Sequence, residues 1–390
     1  MPLKIYARIV PSEEDLAWNK FINECRWGDI LQFSQWGSIK ANEGWSSLKV
    51  GVFAADTGSK VEGSEQLILA GQILYKKATF LGNYAYMPHG PVFDNHESLE
   101  NGLPVLSEFV SKLAKEYNFF CLEVEPKIGF LSANNQNQIE SQGGKNLEHF
   151  FTGDLLKVFK NNGFIQTGRN MQPKHKLYYD LGLGEDELIQ QCQKNTRYNI
   201  RLAKKKGVQV IEYTPDSPEI KSKVAEFYDL MLITQKRAKG YPIRPFKSFL
   251  TMFEAFKGTN NLSLFEAMYD GQTIAMNISQ RTKWWSSSFY AASNRLHSKV
   301  KSMYLLRWES ILAAKSSGSK SYDFWGIIPN SSQHSGYSDH KLSFGGYRVE
   351  TYGLLALPFN KLYFMIWNQG IWFRTRIVDR FRKLIWKVAD

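Results

Sequence analysis

Two α/β domains in tandem are the fold that this sequence predicts, and three observations predict it. Helical stretches alternate with short buried or alternating strands along most of the chain. The order hairpin, further strand, loop, helix, closing strand occurs twice, around Ile68 to Tyr75 and again around Phe265 to Met276. Few identities accompany that repeat, so it is one of architecture. At 390 residues the chain also has the length of two ordinary domains. The predicted division places the first domain at 1–165, joined by 351–370, the second at 166–350, and a basic amphipathic helix at 371–390. A cleft between the halves is the default place for a ligand.

In chain order, Leu31 to Trp36 reads as a loop entering a short helix, with Trp36 and Trp45 flanking Lys40. Strands follow at Leu48 to Ala54 and Leu67 to Lys76. The stretch Asn83 to Asp94 carries two prolines and a glycine that argue against regular structure, and Asp94 is placed to cap the next helix. Leu103 to Tyr117 has helical spacing, and Phe119 to Pro126 is a buried strand stopped by proline. Ser132 to Asn146, rich in Asn, Gln and Ser, reads as a loop. A helix from Asp154 to Lys160 stops at Gly163.

The second half opens with a helix from Glu187 to Lys206, closed by Gly207. Val208 to Tyr213 alternates as a strand. Helices follow at Lys221 to Lys239 and within Phe246 to Phe256. Leu262 to Tyr269 and Thr273 to Arg281 form a hairpin about Asp270-Gly271. Trp284 to Ala291 is a strand, Met303 to Ser316 a helix, and Tyr322 to Trp325 a short buried strand that stops at Gly326. A polar loop then leads to Lys341, a Gly345-Gly346 pair and an alternating run resembling an edge strand.

Composition narrows the function. The formal charge of +12 points to a polyanionic partner, nucleic acid or an anionic membrane surface. Eleven Trp, 19 Tyr and 26 Phe suit broad clefts as well as cores. Three widely spaced cysteines, Cys25, Cys121 and Cys192, support neither a disulfide framework nor a zinc site and fit a reducing cytosol. The first 14 residues lack the apolar core of a signal peptide, and no apolar run reaches membrane-spanning length. A cytoplasmic location is expected.

Several constellations bear chemistry. Lys194, Arg197, Arg201 and Lys204 recur at helical spacing, and with Lys205 they make a basic stripe suited to phosphates or simply to solvent. Asp94 is a general-base candidate as well as a cap candidate, with Tyr86 beside it. Tyr290 lies at a sheet edge rich in aromatic and cationic groups. The tail sets Ile377, Phe381 and Leu384 against Arg374, Arg380 and Lys387, with Trp372 and Trp386 near its ends. It suits either an anionic membrane face or docking on the first domain. No Walker loop, dinucleotide fingerprint, zinc spacing or nucleophile elbow occurs. The glycine cradle of acetyl-CoA-dependent N-acetyltransferases is also missing, since Arg295 to Lys301 is basic but lacks glycines.

Taken in order, several motifs resemble the Fem-type aminoacyltransferases (FemA, FemB and FemX) of peptidoglycan cross-bridge synthesis. They are Gln32-x-x-x-Trp36-x-x-x-Lys40, Gly90 to Asp94, Asn195 to Val208, Tyr290 to Ser293, Tyr322 to Gly326, and Lys341-x-x-Phe344-Gly345-Gly346. The span from Val208 to Phe265 has no room for the coiled-coil arm of FemA and FemB, so the shorter FemX-like form is the nearer comparison. The resemblance implies two tandem N-acetyltransferase-like (GNAT) domains. It further implies transfer of an amino acid from aminoacyl-tRNA to the free amine of a muropeptide stem, nucleotide-linked or lipid-linked. No metal or organic cofactor is expected, and a monomer is. By motif, Lys40 and the Lys204-Lys205 helix end fall where the family holds the precursor's phosphates, and Lys341 where it stabilises charge at the reacting carbonyl. Trp36, Tyr86, Arg197, Arg201 and Tyr290 are further precursor-binding candidates. A buried Lys341, or one remote from the arginine-bearing helix, would count against that role. The rival readings are an acyl-CoA-dependent N-acyltransferase and a non-catalytic tRNA- or membrane-binding protein.

Overall fold

A computed structural model describes residues 3–56, 65–131, 155–237, 242–328 and 336–373. The expected loop at Ser132 to Asn146 and the tail beyond residue 373 lie outside these residues. Where local chemistry dictates an element, the element forms as expected. β11 (Leu262–Tyr269) and β12 (Gln272–Arg281) turn at Asp270 and Gly271, whose φ values of 51° and 69° are those of a tight hairpin turn. β6 (Phe119–Pro126) is buried throughout and ends at its proline.

Sheet pairing overrides local signals elsewhere. Asn83–His89 is a strand, β4, despite Pro88. Its ladder to β3 (Gln66–Lys77) ends at Tyr86, so the N–H that Pro88 lacks is not needed on that side. The predicted helix Glu187 to Lys206 is two helices, α5 (Glu185–Gln191) and α6 (Lys194–Lys205). Cys192 and Gln193 between them have extended ψ of 141° and 149°, and Gln193 N donates to Ser343 O at 2.9 Å. The run after Gly346, β15 (Tyr347–Thr351), is not an edge strand, being paired on both sides.

The first sheet is ordered β1-β2-β3-β4-β6-β16-β8, with β5 beside β3. It is built from Leu3–Ile9 (β1), Ser46–Asp56 (β2), β3, β4, Val92–Phe93 (β5), β6, Ile165–Gln166 (β8) and Leu355–Pro358 (β16). The second is ordered β10-β11-β12-β13-β14-β9-β15-β7. Its other strands are Gly129–Leu131 (β7), His175–Asp180 (β9), Gln209–Tyr213 (β10), Trp285–Ser293 (β13) and Ser321–Gly326 (β14). The chain therefore crosses between sheets, lending β7 to the second and returning as β16 to the first. Among the described residues each sheet contains one parallel pair, β4/β6 and β13/β14. The first pair stays laddered from Asn83↔Phe119 to His89↔Pro126. The second parts after Ser287↔Asp323, leaving the ends of β13 and β14 splayed.

The seam between the sheets holds buried charge. Asp29, before helix Ser34–Ala41 (α2), receives Lys127 Nζ at 3.1 Å and faces His89 Nδ1 at 3.1 Å, both on its Oδ2. From the second sheet, Lys176 Nζ lies 3.2 Å from Asp323 Oδ2 and 3.4 Å from His89 Nε2. All five side chains are at most 4% exposed. The aromatic rings of Trp285 and Trp325 cover the two ammonium groups at 4.0 and 4.7 Å. Burial holds His89 down to about 4, against the pull of Asp29, so its ring is neutral at pH 7. Lys176 donates to Nε2, which leaves the proton on Nδ1, facing Asp29. Two cations thus meet two carboxylates at the seam, each pair within its own half, and the Lys176–His89 contact joins the pairs. Asp29→Ala strands Lys127 and one face of His89, and is expected to cost about 3–5 kcal/mol. The urea midpoint reads this, and an unchanged midpoint would show that the network carries no load.

Candidate functional site

The last turn of α2 presents Lys40, and the two halves close around it. Helix Phe246–Ala255 (α8) packs on α2, with Asn42 Nδ2 donating to Thr251 Oγ1 at 2.9 Å. Just before α8, Arg244 donates through Nε to the Tyr290 hydroxyl at 2.5 Å and through Nη1 to Glu43. Lys40 pairs with the same carboxylate. Arg244 lies 5.1 Å over the Trp36 ring, and Lys76 lies 4.3 Å over Trp45. Three cations and one carboxylate therefore converge where the halves meet. Burial, then Arg244, push the Lys40 ammonium below its ordinary value. Burial would raise the Glu43 carboxyl, but Arg244 and Lys40 hold it below the carboxylate range. Such a surplus of positive charge, partly desolvated and floored by indole rings, is suited to a phosphate or diphosphate.

A row of aromatic rings leads away from this cluster. Trp36 contacts Phe289 with centroids 5.8 Å apart, and Phe289 contacts Trp325 at 5.1 Å across the splay between β13 and β14. Trp325 holds a left-handed backbone at φ 66°, its N–H tied to Asp323 Oδ1 at 2.6 Å. The next carbonyl, Gly326 O, accepts from Tyr337 Oη at 2.7 Å and Lys341 Nζ at 2.8 Å.

Trp36, Lys40 and Tyr290 are thus brought together by the structure, with Arg244 added. Sequence reasoning missed Arg244, though its place between Pro242 and Pro245 in an inter-helix linker was a usable signal. The other expected residues lie elsewhere. Tyr86 is buried and donates to Glu125 Oε2 at 2.7 Å. Glu125 also accepts the Met171 and Gln172 amides, and burial pushes its carboxyl up to about 7. Arg197 donates to the carbonyls of Gln190 and Cys192, tying down the end of α5. Lys204 bridges to Glu309 at 2.9 Å, while Arg201 and Lys205 are exposed on α6. Among the described residues, none of the four basic side chains on α6 touches the Lys40 cluster.

Two expectations need correction. Asp94 does not cap helix His96–Glu116; Asn95 does, accepting from Ser98 N at 2.9 Å. Asp94 is exposed and accepts from Arg26 N at 3.4 Å, and no contact among the described residues joins it to Lys40 or Lys341. Lys341 stands on a short helix, Gly336–Leu342 (α10), and is only 3% exposed instead of open in a cleft. It does adjoin the basic helix, since Thr196 Oγ1 of α6 donates to Ser343 Oγ at 2.8 Å. Burial first, then Arg307, push its amine well below the ordinary lysine value. Among the described residues no group of His, Cys, Asp and Glu could hold a metal ion.

Two mixed sheets flanked by helices, with a charged junction and one splayed strand pair, define a class of mixed α/β proteins. The chain belongs to the FemAB family, whose model matches residues 14–283 and 266–369. It is 25% identical over 215 residues to a lipid II:glycine glycyltransferase of Staphylococcus epidermidis, which covers 54% of this chain and 46% of that protein. The same match recurs in a second strain of that species. The chain spans about half the length of these curated relatives. A crystal structure of FemX shares the fold with a TM-score of 0.76 at 17% identity, over 93% of this chain and 99% of that one.

The charge balance at Lys40 is testable directly. Glu43→Gln removes the competing carboxylate, so inorganic pyrophosphate is expected to bind several-fold more tightly, and Lys40→Met several-fold more weakly. Quenching of tryptophan fluorescence at low ionic strength reads both, and equal affinities would dismiss the cluster as an anion site.

Proposed function

We propose that this protein transfers an aminoacyl group from aminoacyl-tRNA to the free amine of a peptidoglycan precursor's stem peptide, as a step in cross-bridge formation. The observation that carries the reading is the aromatic row Trp36-Phe289-Trp325, which joins the phosphate-suited cluster to the Gly326-Lys341 turn. Lys40 and Arg244, with Trp36 and Tyr290, hold the precursor's phosphates; the peptide follows the rings to the splay. Family membership and the name of the curated relatives support a lipid-linked precursor.

The reaction needs no activating cofactor, because an aminoacyl ester is already primed. The amine nitrogen attacks the ester carbonyl, the new C–N bond forms, the C–O bond breaks, and the RNA hydroxyl leaves. Holding the two reactants in line supplies much of the rate. The attacking amine must lose a proton. Lys341, biased toward its neutral form, is suited to take it: two of its N–H groups are spent on Gly326 O and Tyr337 Oη, and a neutral amine keeps its lone pair. A buried Lys341 fits this task better than that of an open cation. Lys341→Ala is expected to lower turnover by about 10²–10³-fold with little change in precursor affinity. The assay is transfer from a charged tRNA pool to a lipid-linked precursor, read by mass analysis of the stem peptide; unchanged turnover removes Lys341 from the mechanism.

Peripheral contact with the anionic inner face of the membrane fits a lipid-linked acceptor. No helix among the described residues is long and apolar enough to cross a membrane. Helix 361–373 (α11) docks Trp367 on Tyr84 and Phe120, with centroids 5.0 and 5.6 Å apart. Its other side leaves Leu362, Met365, Trp372 and Phe373 about half exposed, immediately before the basic sequence 374–390. Deleting residues 371–390 is expected to abolish co-sedimentation with phosphatidylglycerol vesicles; retained binding would refute the contact.

A further inference from the structure

Glu125, near the end of β6, is 2% exposed and has no part in the transfer chemistry derived above. Its carboxylate faces the segment between β8 and β9, where the chain passes from the first sheet to the second. Met171 N and Gln172 N each donate to its Oε1 at 3.0 Å. Oε2 accepts the Tyr86 hydroxyl at 2.7 Å, and Gln172 Nε2 donates to that hydroxyl at 3.2 Å. Met171 is about half exposed, so one buried side chain holds down a strap that runs along the surface. The strap is also tied at either side, by Leu354 N on Arg169 O at 2.9 Å and by Thr351 N on Lys174 O at 2.8 Å. Between those ties the two amides end on Glu125.

One residue further on, the strap meets the turn that holds Lys341. A Cβ placed on Gly326 would lie 2.6 and 2.8 Å from Cβ and Cγ of Pro173, closer than atoms pack, so the proline ring rests on the glycine and no side chain fits there. The Gly326 carbonyl is the acceptor of Lys341 Nζ and of Tyr337 Oη. β14 parts from β13 after Asp323, so no ladder braces Gly326 on that side. Its support comes from Lys176, opposite it on β9, and from Pro173.

The charge on Glu125 is not what the strap needs. Burial pushes its carboxyl up to about 7, against Tyr86, the two amides and Lys176. A protonated carboxyl keeps its carbonyl oxygen for the amides and gives its proton to Tyr86, as a side-chain amide would.

We propose that Glu125 is a positioning residue for the transfer reaction: through the amides of Met171 and Gln172 it seats Pro173 on Gly326, and so fixes the carbonyl that aims the Lys341 amine. The effect on turnover rests on the role given to Lys341 above; the mechanical link from Glu125 to Gly326 does not.

The test uses the full chain as Glu125→Leu, Glu125→Gln and Pro173→Gly, the last also combined with Lys341→Ala. In transfer to a lipid-linked precursor, Glu125→Leu and Pro173→Gly are each expected to lower kcat by about 10–100-fold, with KM for the precursor within about twofold of wild type. Pro173→Gly, on a partly exposed strap, carries the test should Glu125→Leu not fold. Glu125→Gln keeps an oxygen for both amides and is expected to stay within about threefold of wild type. A Gln variant as slow as the Leu variant would mean that Glu125 moves a proton, and overturns the positioning role. On the Lys341→Ala background, Pro173→Gly is expected to slow transfer no further; losses that multiply would mark general damage to the fold and overturn the proposal too. Hydrogen–deuterium exchange reads the link without any transfer. The amides of Ile327 and Ile328, which donate to His175 O and Ser338 Oγ, are expected to exchange at least about tenfold faster in Pro173→Gly. Unchanged exchange refutes the link whatever the transfer assay shows. A wild type inactive in transfer, or a fully active Lys341→Ala, refutes the reaction proposed above and leaves exchange to judge the link alone.

Discussion

The paired charges at the seam are what the rest of this structure depends on. Asp29, His89 and Lys127 belong to the first half; Lys176 and Asp323 belong to strands of the second sheet. Each ion pair lies within its own half, and what crosses the seam is Lys176 Nζ against His89 Nε2 at 3.4 Å and Gln280 Nε2 donating to Asp29 Oδ2 at 3.5 Å. Hydrophobic contact alone tolerates sliding, whereas buried polar groups that must keep their partners accept few other arrangements. Gln280 reinforces the lock by accepting from Ile30 N at 3.1 Å, so the segment leading into α2 is fastened to the second sheet. The position of Lys40 relative to Arg244 and Tyr290 follows from this fastening, because the former rides on one half and the latter two on the other.

Pairing also separates structural cations from those available for chemistry. Arg169 is bound to Glu123 and Arg197 to backbone carbonyls, so neither has spare capacity at hand for a ligand. At the junction one carboxylate, Glu43, is shared between Lys40 and Arg244 with Lys76 nearby, an arrangement left electron-poor. Arg307 goes further, with no carboxylate in contact among the described residues. The molecule is uniformly basic in composition, yet the discriminating quantity is local: how many negative groups each buried cation already has.

The splay between β13 and β14 connects these centres. Past Ser287↔Asp323 the strands no longer bond to each other, so Phe289 and Trp325 face across a gap and the Gly326 carbonyl must find other donors. Tyr337 and Lys341 supply them. The corresponding parallel pair in the first sheet stays closed, and there Glu123 and Glu125 are consumed by Tyr84, Tyr86, Arg169 and backbone amides. One half of the duplicated plan has thus become scaffold, and the other keeps an opening.

What the chain settled by itself was whatever depends on neighbours in sequence. The Asp270-Gly271 hairpin, the helix ending at Gly207 and the proline-terminated β6 follow from backbone freedom and periodicity within a few residues. The ordered motifs from Gln32 to Gly346 were enough to point to the family. The split at Cys192-Gln193, the strand at Asn83–His89 and the cap at Asn95 instead of Asp94 were each decided by a partner distant in sequence or by a one-residue choice of register. The same holds for the site. That Trp36, Lys40 and Tyr290 meet, that Arg244 joins them, and that Lys341 lies inside beside Arg307 are outcomes of two halves packing together. Burial and pairing of charge are properties of three-dimensional neighbourhoods, and a lysine or arginine carries the same letter whether it is solvated, neutralised or left with open donor sites.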